Sequence, residues 1–405
     1  MNTDTRNDSL LSELSDKLVW QSYLTHKLAS GTLSKKEEAS LAAFIQEKRY
    51  LPIAKKLQNG ASLGIPRRIE INKMRTGKKR IVYAFAPEEN LVLGLIAWLL
   101  HRYDALFAPN LYSFRQRKCA KDAVCRLMYA PEARCAYIYK VDIHDYFNSI
   151  PLEKLFPMLE EVLAEDPPLL SFFKALLAEP QVLVDGRIEE VPQKGIMAGL
   201  PVAAFLANLY LKDLDWHFAK EHKLYARYSD DIIILENEET MLEADVSYIQ
   251  AKFQEKGLTV NPKKEHYYLP GEPWEFLGFL CNGSVVDISP AAKEKLKGKM
   301  RRKSRALLRW GVRKELAPEK AILGFIRHYN RKLYDNPVHG ELTWCRWYFP
   351  VINTAESLHE LDRYMLQCIR YIMTGRHCKK NYALSYEKIK ELGYRSLVHE
   401  FYKMQ

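Results

Sequence analysis

At 405 residues the chain is long enough for a sizeable core and two or three subdomains, and its 47% apolar and 27% charged residues are ordinary for a globular protein. A net charge of +11 and a pI near 9.1 favour a polyanionic partner, which leaves nucleic acid and an anionic membrane surface both open. The polar segment Met1–Asp16 has no apolar signal core, and the run Leu91–Leu100 is about half a bilayer span. The seven cysteines form no Cys-x-x-Cys pair. A cytoplasmic protein with reduced thiols and no membrane segment is therefore expected.

Residues 10–60 read as helices: Leu10, Leu11, Leu14 and Leu18 recur at helical spacing, and Ser34 with Glu37 makes a capping box before Leu41 and Phe44. Between Ile65 and Phe85 the pattern turns to short β-like runs around Gly77-Lys78-Lys79-Arg80, a basic hairpin. A helix is expected from Glu88 to Tyr103, a polar aromatic loop over Asn110–Arg117 and a helix over Ala120–Met128. Ala136–Ile143 is an apolar strand that carries Asp142. Pro151–Leu177 is helical with a break at Pro167-Pro168, and Val182–Val191 is a hairpin about Asp185-Gly186. Val202–Leu214 reads as one helix, Leu224–Leu235 as two strands bent at Ser229-Asp230-Asp231, Thr240–Lys256 as a helix and Trp274–Leu280 as one strand. From Lys293 to Lys332, fifteen basic residues face three acidic ones in a helical pattern suited to tracking phosphates. The irregular interleaving of strands and helices favours α+β over a doubly wound sheet.

Asp142 ends a strand, where an unpaired buried carboxylate would cost several kcal/mol, or roughly that order, so it needs a cation or donors. A helix start at Asp145 or Asn148 accounts for that position alone about equally well. Asp230-Asp231 lies between Tyr225–Ser229 and Ile232–Leu235 without the Gly or Asn of an ordinary hairpin turn. Adjacent like charges are unfavourable unless a multivalent cation neutralises them. Three carboxylates with no His or Cys spaced to join them suit Mg²⁺ rather than Zn²⁺. Two such ions, about 3.5–4 Å apart, would serve an in-line phosphoryl transfer.

Lys140-Val141-Asp142-Ile143 through Phe147, with Tyr228-Ser229-Asp230-Asp231, resembles motifs A and C of reverse transcriptases. The similarity runs in order over residues 65–280 and is greatest to the bacterial branch of group II intron, retron, abortive-infection and defence-associated enzymes. The resemblance implies a right-hand polymerase with fingers, an antiparallel palm sheet carrying the carboxylates, and a helical thumb. It divides the chain into an N-terminal helical extension (1–60), fingers and palm (61–282) and a basic thumb with C-terminal region (283–405).

It implies that Asp142, Asp230 and Asp231 are catalytic and hold two Mg²⁺ ions, with Mn²⁺ as a substitute. Phe147 matches the aromatic gate beneath the sugar, although a core Phe beside Tyr146 accounts for the position equally simply. Lys194–Gly199 followed by Phe205–Leu211 resembles motif B, but the usual Pro-Gln-Gly is Met197-Ala198-Gly199 and the usual Ser-Pro is Ala203-Ala204. The Gln contact to template or nucleotide is then missing, which puts nucleotide preference in question. Small residues such as Gly199 allow backbone to approach the nucleotide.

Gly257–Lys264 resembles motif D, with Lys264 near the leaving pyrophosphate, and Phe276-Leu277-Gly278-Phe279 resembles the primer grip. Lys73, Lys79 and Arg80 match the basic residues that clamp the triphosphate. Leu111-Tyr112-Ser113-Phe114-Arg115 matches a block in which Phe114 and Arg115 line the template path, packing being the alternative for Phe114. Tyr228, Gly278 and Arg301, Arg302, Lys303 and Arg305 are the remaining implied nucleic-acid contacts. For Trp344–Phe349, core packing is the simpler reading.

No nuclease or integrase pattern follows the thumb-like region. By family analogy, an RNA-templated DNA polymerase that copies a dedicated structured noncoding RNA in antiviral defence is expected. Its partners would be that RNA, the DNA product and deoxynucleoside triphosphates. The alternatives are a template-independent or ribonucleotide polymerase and a catalytically dead RNA-binding scaffold. Phe147 speaks against ribonucleotides, and three retained carboxylates speak against a dead site.

Overall fold

The computed structural model describes residues 9–30, 33–72, 79–191, 194–334 and 343–405. Eleven strands are found among them: β1 (Arg67–Asn72), β2 (Lys79–Ala84), β3 (Tyr137–Asp142), β4 (Gln181–Val184), β5 (Arg187–Glu190), β6 (Leu224–Tyr228), β7 (Asp231–Glu236), β8 (His266–Tyr268), β9 (Trp274–Phe276), β10 (Phe279–Asn282) and β11 (Val285–Ile288). They form three sheets, ordered β2-β1-β4-β5, β6-β7-β3-β8 and β11-β10-β9, with helices between them, so the chain is α+β. The chain divides into two compact units: Met1–Ala29, Leu33–Ala123 and Ala136–Leu269 in the first, and Ser30–Thr32, Val124–Cys135 and Pro270–Gln405 in the second.

In the first unit, the sheet β6-β7-β3-β8 is antiparallel throughout. β3 and β7 are almost continuously buried, which their runs of Val, Ile, Leu and Tyr permit. The helix Glu239–Lys256 packs on both strands and stops at Gly257, whose φ of +69° suits a left-handed cap. The helix Ala203–Tyr210 is buried at every position but Ala204, as its apolar sequence Ala-Ala-Phe-Leu-Ala-Asn-Leu-Tyr requires. The expected helix Val202–Leu214 is instead two, Ala203–Tyr210 and Lys212–Lys220, separated at Leu211. Apolar periodicity continues across that break, which is why the sequence reads as one element.

The N-terminal capping box is present: the Glu37 N–H donates to Ser34 Oγ at 3.3 Å, and the Ser34 N–H donates to Glu37 Oε2 at 2.8 Å. Leu10, Leu11 and Leu14 are buried in a 3₁₀ turn, Leu10–Ser15, but Leu18 is 69% exposed and belongs to the next helix, which buries Trp20 and Tyr23 instead. The Gly77-Lys78 part of the expected basic hairpin lies outside the described residues, while the flanking β1 and β2 pair antiparallel. The expected helix Glu88–Tyr103 is an α-helix, Pro87–Leu99, continued by a 3₁₀ segment, Leu100–Leu106.

In the second unit, the single strand expected over Trp274–Leu280 is a hairpin. Leu277 (φ +49°) and Gly278 (φ +89°) form its two-residue turn between β9 and β10. The left-handed turn is invisible to an alternating apolar pattern because Leu occupies one of its two positions. The helix Pro290–Arg313 carries the basic stripe; it buries Leu296, Met300 and Ser304 and leaves Arg301, Arg302 and Arg305 exposed. Among the described residues, no helix is long and apolar enough to cross a membrane.

Candidate active site

β3 and β7 run antiparallel in a register that sets Asp142 directly opposite Asp231. β6 returns into β7 through the two-residue turn Ser229-Asp230, and the Ile143 N–H donates to the Asp230 carbonyl at 3.1 Å. The three carboxylates therefore converge, each presenting an oxygen within 4.8 Å of the others. Among the described residues they form the one cluster of this kind.

Facing carboxylates on paired strands repel, and burial adds to the cost of ionising them. Burial, then the charges of Asp230 and Asp142, push the Asp231 carboxyl up to about 6. Asp230 is raised as well, by burial first and the Asp142 charge second. An oxygen-only donor set under mutual repulsion fits a hard divalent cation such as Mg²⁺.

Lys264 reaches the same cluster. Residues 259–261 run alongside the end of β3, with the Asn261 N–H donating to the Asp142 carbonyl at 2.9 Å and the His144 N–H to the Thr259 carbonyl at 2.8 Å. Asn261 then caps the short turn Pro262–Lys264 and donates from Nδ2 to Asp142 Oδ1 at 3.3 Å. This places Lys264 Nζ 2.5 Å from Asp142 Oδ2. Desolvation works to lower the Lys264 pKa, but the hydrogen bond and charge of Asp142 outweigh it, and the ammonium is held protonated above its ordinary range.

The loop 194–200 is stitched to the segment after Asp142. The Ile196 N–H donates to the Phe147 carbonyl at 2.8 Å, the Ala198 N–H to Asn148 Oδ1 at 3.0 Å, and the Tyr83 N–H of β2 to the Ala198 carbonyl at 2.8 Å. Ala198, which stands where the family's Gln is expected, thus contributes a methyl group and two backbone bonds. Met197 before it is fully buried, at φ +56°. A Cβ on Gly195 would lie 2.6 Å from the Asn148 carbonyl carbon and closer still to the Phe147 oxygen. Tyr146 fills the core, its hydroxyl donating to the Ala207 carbonyl at 2.6 Å, whereas Phe147 stays partly open, edge-on to it at 5.8 Å. The aromatic pair is thereby divided between a packing residue and an accessible one.

The other expected site residues fall in several places. Lys79 and Arg80 are exposed on β2, Lys79 pairing with Glu70 Oε2 at 2.6 Å, and Gly199 is exposed at φ +104°. Lys73 lies outside the described residues. Phe114 is 48% exposed at φ +54° and borders a cavity of about 550 Å³ shared with His26, Trp98 and Phe205. Arg115 turns inward, donating to the carbonyls of Asp104 (2.8 Å) and Ala108 (3.2 Å). Tyr228 is half-buried at the end of β6.

In the second unit, a Cβ on Gly278 would meet the Tyr348 hydroxyl at 2.9 Å, which ties that turn to the Trp344–Tyr348 helix. The basic helix is crowded with like charge: burial, then Lys332, Lys295 and Arg302, lowers the Lys299 pKa.

Sequence reasoning missed Asn261, Asn148 and three groups beneath the Ser229 turn: Ser113, Asp215 and Arg227. Arg227 and Asp215 are fully buried and paired, with Nε to Oδ1 at 2.8 Å and Nη2 to Oδ2 at 2.5 Å. Desolvation alone would lower the Arg227 pKa, but the facing carboxylate outweighs it and raises the guanidinium further. A polar residue in the apolar run Tyr225–Tyr228 was the one available signal for this pair.

Residues 71–281, just over half of the chain, match the family model described as reverse transcriptase (RNA-dependent DNA polymerase). A curated relative, the Retron Mx65 reverse transcriptase of Myxococcus xanthus, is 22% identical over 269 residues. The match covers 61% of this chain and 61% of that protein, so the chain spans less than two thirds of the relative's length. Solved structures with similarity include apo telomerase from Candida tropicalis truncated from its C-terminal domain (13% identity, 55% of each chain, TM-score 0.43). Telomerase from Candida albicans with a telomeric RNA fragment is similar at 13% identity over 90% of this chain and 70% of that one, with a TM-score of 0.44.

Proposed function

The chain belongs to the reverse transcriptase family, and from that premise we propose that it is an RNA-directed DNA polymerase. One observation carries the proposal: Asp142, Asp230 and Asp231, from strands distant in sequence, converge within 4.8 Å in a register that opposes like charges. Such an arrangement is costly without a cation and productive with one. A catalytically dead scaffold would gain nothing from preserving it.

In this reading the three aspartates hold two divalent ions, Mg²⁺ with Mn²⁺ as a substitute. When bound, those ions stabilise charge on the attacking and leaving oxygens of the transfer. The protein's own residues do the rest. Asp142 is held by Asn261 and Lys264, and the Lys264 ammonium stands beside the cluster, where it can serve the departing pyrophosphate. Phe147 presents a ring to exclude a 2′-hydroxyl, while the backbone of 195–199 supports the nascent pair and Lys79 and Arg80 attract the triphosphate. Residues 61–282 would form fingers and palm, and 283–405 the thumb with the C-terminal region, where exposed Arg301, Arg302 and Arg305 grip phosphates independently of sequence.

The finer reading is a structured noncoding RNA template in antiviral defence. Its support is the resemblance to bacterial defence-associated enzymes, together with a relative named as a retron reverse transcriptase. Purified protein is expected to extend a primer on an RNA template with deoxynucleotides and Mg²⁺, and Asp230→Ala should abolish extension. Equal extension by both proteins would end the polymerase reading. Sequencing co-purifying RNA and its DNA product tests the template, and a phage plaque assay tests the defence role.

A further inference from the structure

The turn that presents Asp230 and Asp231 is built on a residue in an unfavourable conformation. Ser229 has φ +61°, a region that L residues other than Gly adopt reluctantly. Its peptide groups are gripped on both sides. The Ser229 N–H donates to Ser113 Oγ at 2.9 Å, and its carbonyl accepts from Arg227 Nη1 at 3.2 Å. Neither clamp belongs to the turn's own backbone ladder, and both are buried.

Each clamp is itself fixed. Ser113 donates to Asn208 Oδ1 at 3.2 Å, and Asn208 Nδ2 returns a bond to the Ser113 carbonyl at 3.0 Å. Arg227 is oriented by the two bonds to Asp215, which also accepts from the Tyr225 hydroxyl at 3.0 Å, and Arg227 Nη2 donates to the Asn208 carbonyl at 3.3 Å. The network joins the loop around residue 113, the buried helix Ala203–Tyr210, the helix Lys212–Lys220 and β6.

We propose that Ser113 and the Asp215–Arg227 pair are positioning residues of the metal site: they hold the left-handed Ser229 peptide and so set where the Asp230 and Asp231 carboxylates stand. Stability alone does not account for the pair. A dry ion pair can be replaced by apolar residues of similar volume with little loss of stability, because the desolvation of two charges is relieved. A group that reaches past its partner to a strained carbonyl beside a metal-binding carboxylate has a geometric task that an apolar residue cannot perform. The inference rests on the metal-dependent reading of the three aspartates.

The test measures metal binding directly, by titrating full-length protein with Mn²⁺ and following free Mn²⁺ by electron paramagnetic resonance, alongside melting temperature and the Mg²⁺ dependence of primer extension. Asp230→Asn reports on the underlying site. Ser113→Ala removes one clamp without stranding a charge, and Asp215→Leu combined with Arg227→Met removes the other while keeping an apolar core. Both are expected to stay folded, melting below wild type only by the effect of the buried partners they strand, and to bind Mn²⁺ roughly three- to tenfold more weakly, the loss of about one hydrogen bond in placing a ligand. The Mg²⁺ needed for half-maximal extension should rise in parallel. Should the double variant fail to fold, Ser113→Ala decides alone. Folded variants with wild-type Mn²⁺ affinity and an unchanged Mg²⁺ profile would overturn the positioning role and leave the metal site intact. Mn²⁺ binding that Asp230→Asn does not weaken would instead remove the site itself, and the positioning role with it.

Discussion

Replacing Asp231 by asparagine is expected to stabilise the metal-free protein while abolishing nucleotidyl transfer. Burial, Asp230 and Asp142 place the Asp231 carboxyl at about 6 in the folded chain, against an ordinary 3.8. The difference is worth about 3 kcal/mol. Its sign follows from linkage: above about pH 6 the group is ionised in both states and the folded state bears the whole penalty. As pH falls from 6 through 3.8, the folded state takes up its proton first and the penalty disappears. Asparagine keeps the shape and removes the charge, so Asp231→Asn should gain most of that energy at pH 8 and almost none near pH 4. At roughly 2–4 °C per kcal/mol for a unit of this size, the melting point in EDTA should rise by about 5–10 °C at pH 8. Added Mg²⁺ should raise the wild type toward the variant, since a ligand of the native state stabilises by mass action. Calorimetric melts at both pH values measure this. No gain at pH 8, or an equal gain at pH 4, would refute the claim that these carboxylates are held together under repulsion.

Gly195→Ala should destabilise by about 2–4 kcal/mol, since it forces an L residue into φ +53° and drives a Cβ against the backbone of Phe147 and Asn148; chemical denaturation measures the loss. Phe147→Ala should raise ribonucleotide incorporation relative to deoxynucleotide incorporation with little change in melting temperature, and an unchanged ratio would reassign the ring to packing. Lys264→Met should lower kcat by about 10²-fold or more while primer–template affinity holds, if the ammonium acts on the leaving group. Replacing Arg301, Arg302 and Arg305 together by alanine should weaken duplex binding similarly on unrelated sequences and flatten its salt dependence by about three charges' worth, as read from binding across a salt series.

Much of the local structure was legible because short-range chemistry fixes it. The Ser34–Glu37 capping box, the hairpin about Asp185-Gly186 and the strands on either side of Ser229-Asp230 follow from residue type at neighbouring positions. The charge of Asp142 at the end of an apolar strand and the doubled charge of Asp230-Asp231 marked the candidate centre for the same reason: a carboxylate in apolar company needs an explanation wherever the chain goes. Local pattern failed where a turn used an apolar residue, at Leu277-Gly278, and where apolar spacing ran through a break, at Leu211.

What the tertiary structure alone decided is which distant residues meet. Nothing near Asp142 specifies that it pairs with Asp231 and not with Ile232, yet a slip of one residue would turn the carboxylate to the opposite face of the sheet. Asp215 looks like one more charge on a surface helix, and Ser113 like a loop hydroxyl. They become supports of the Ser229 turn because the fold removes water from both: Ser113 bonds the strained peptide itself, and Asp215 orients the Arg227 that does. Sequence determined which groups would be costly to bury; only the packing of strands and helices far apart in the chain determined how that cost was met.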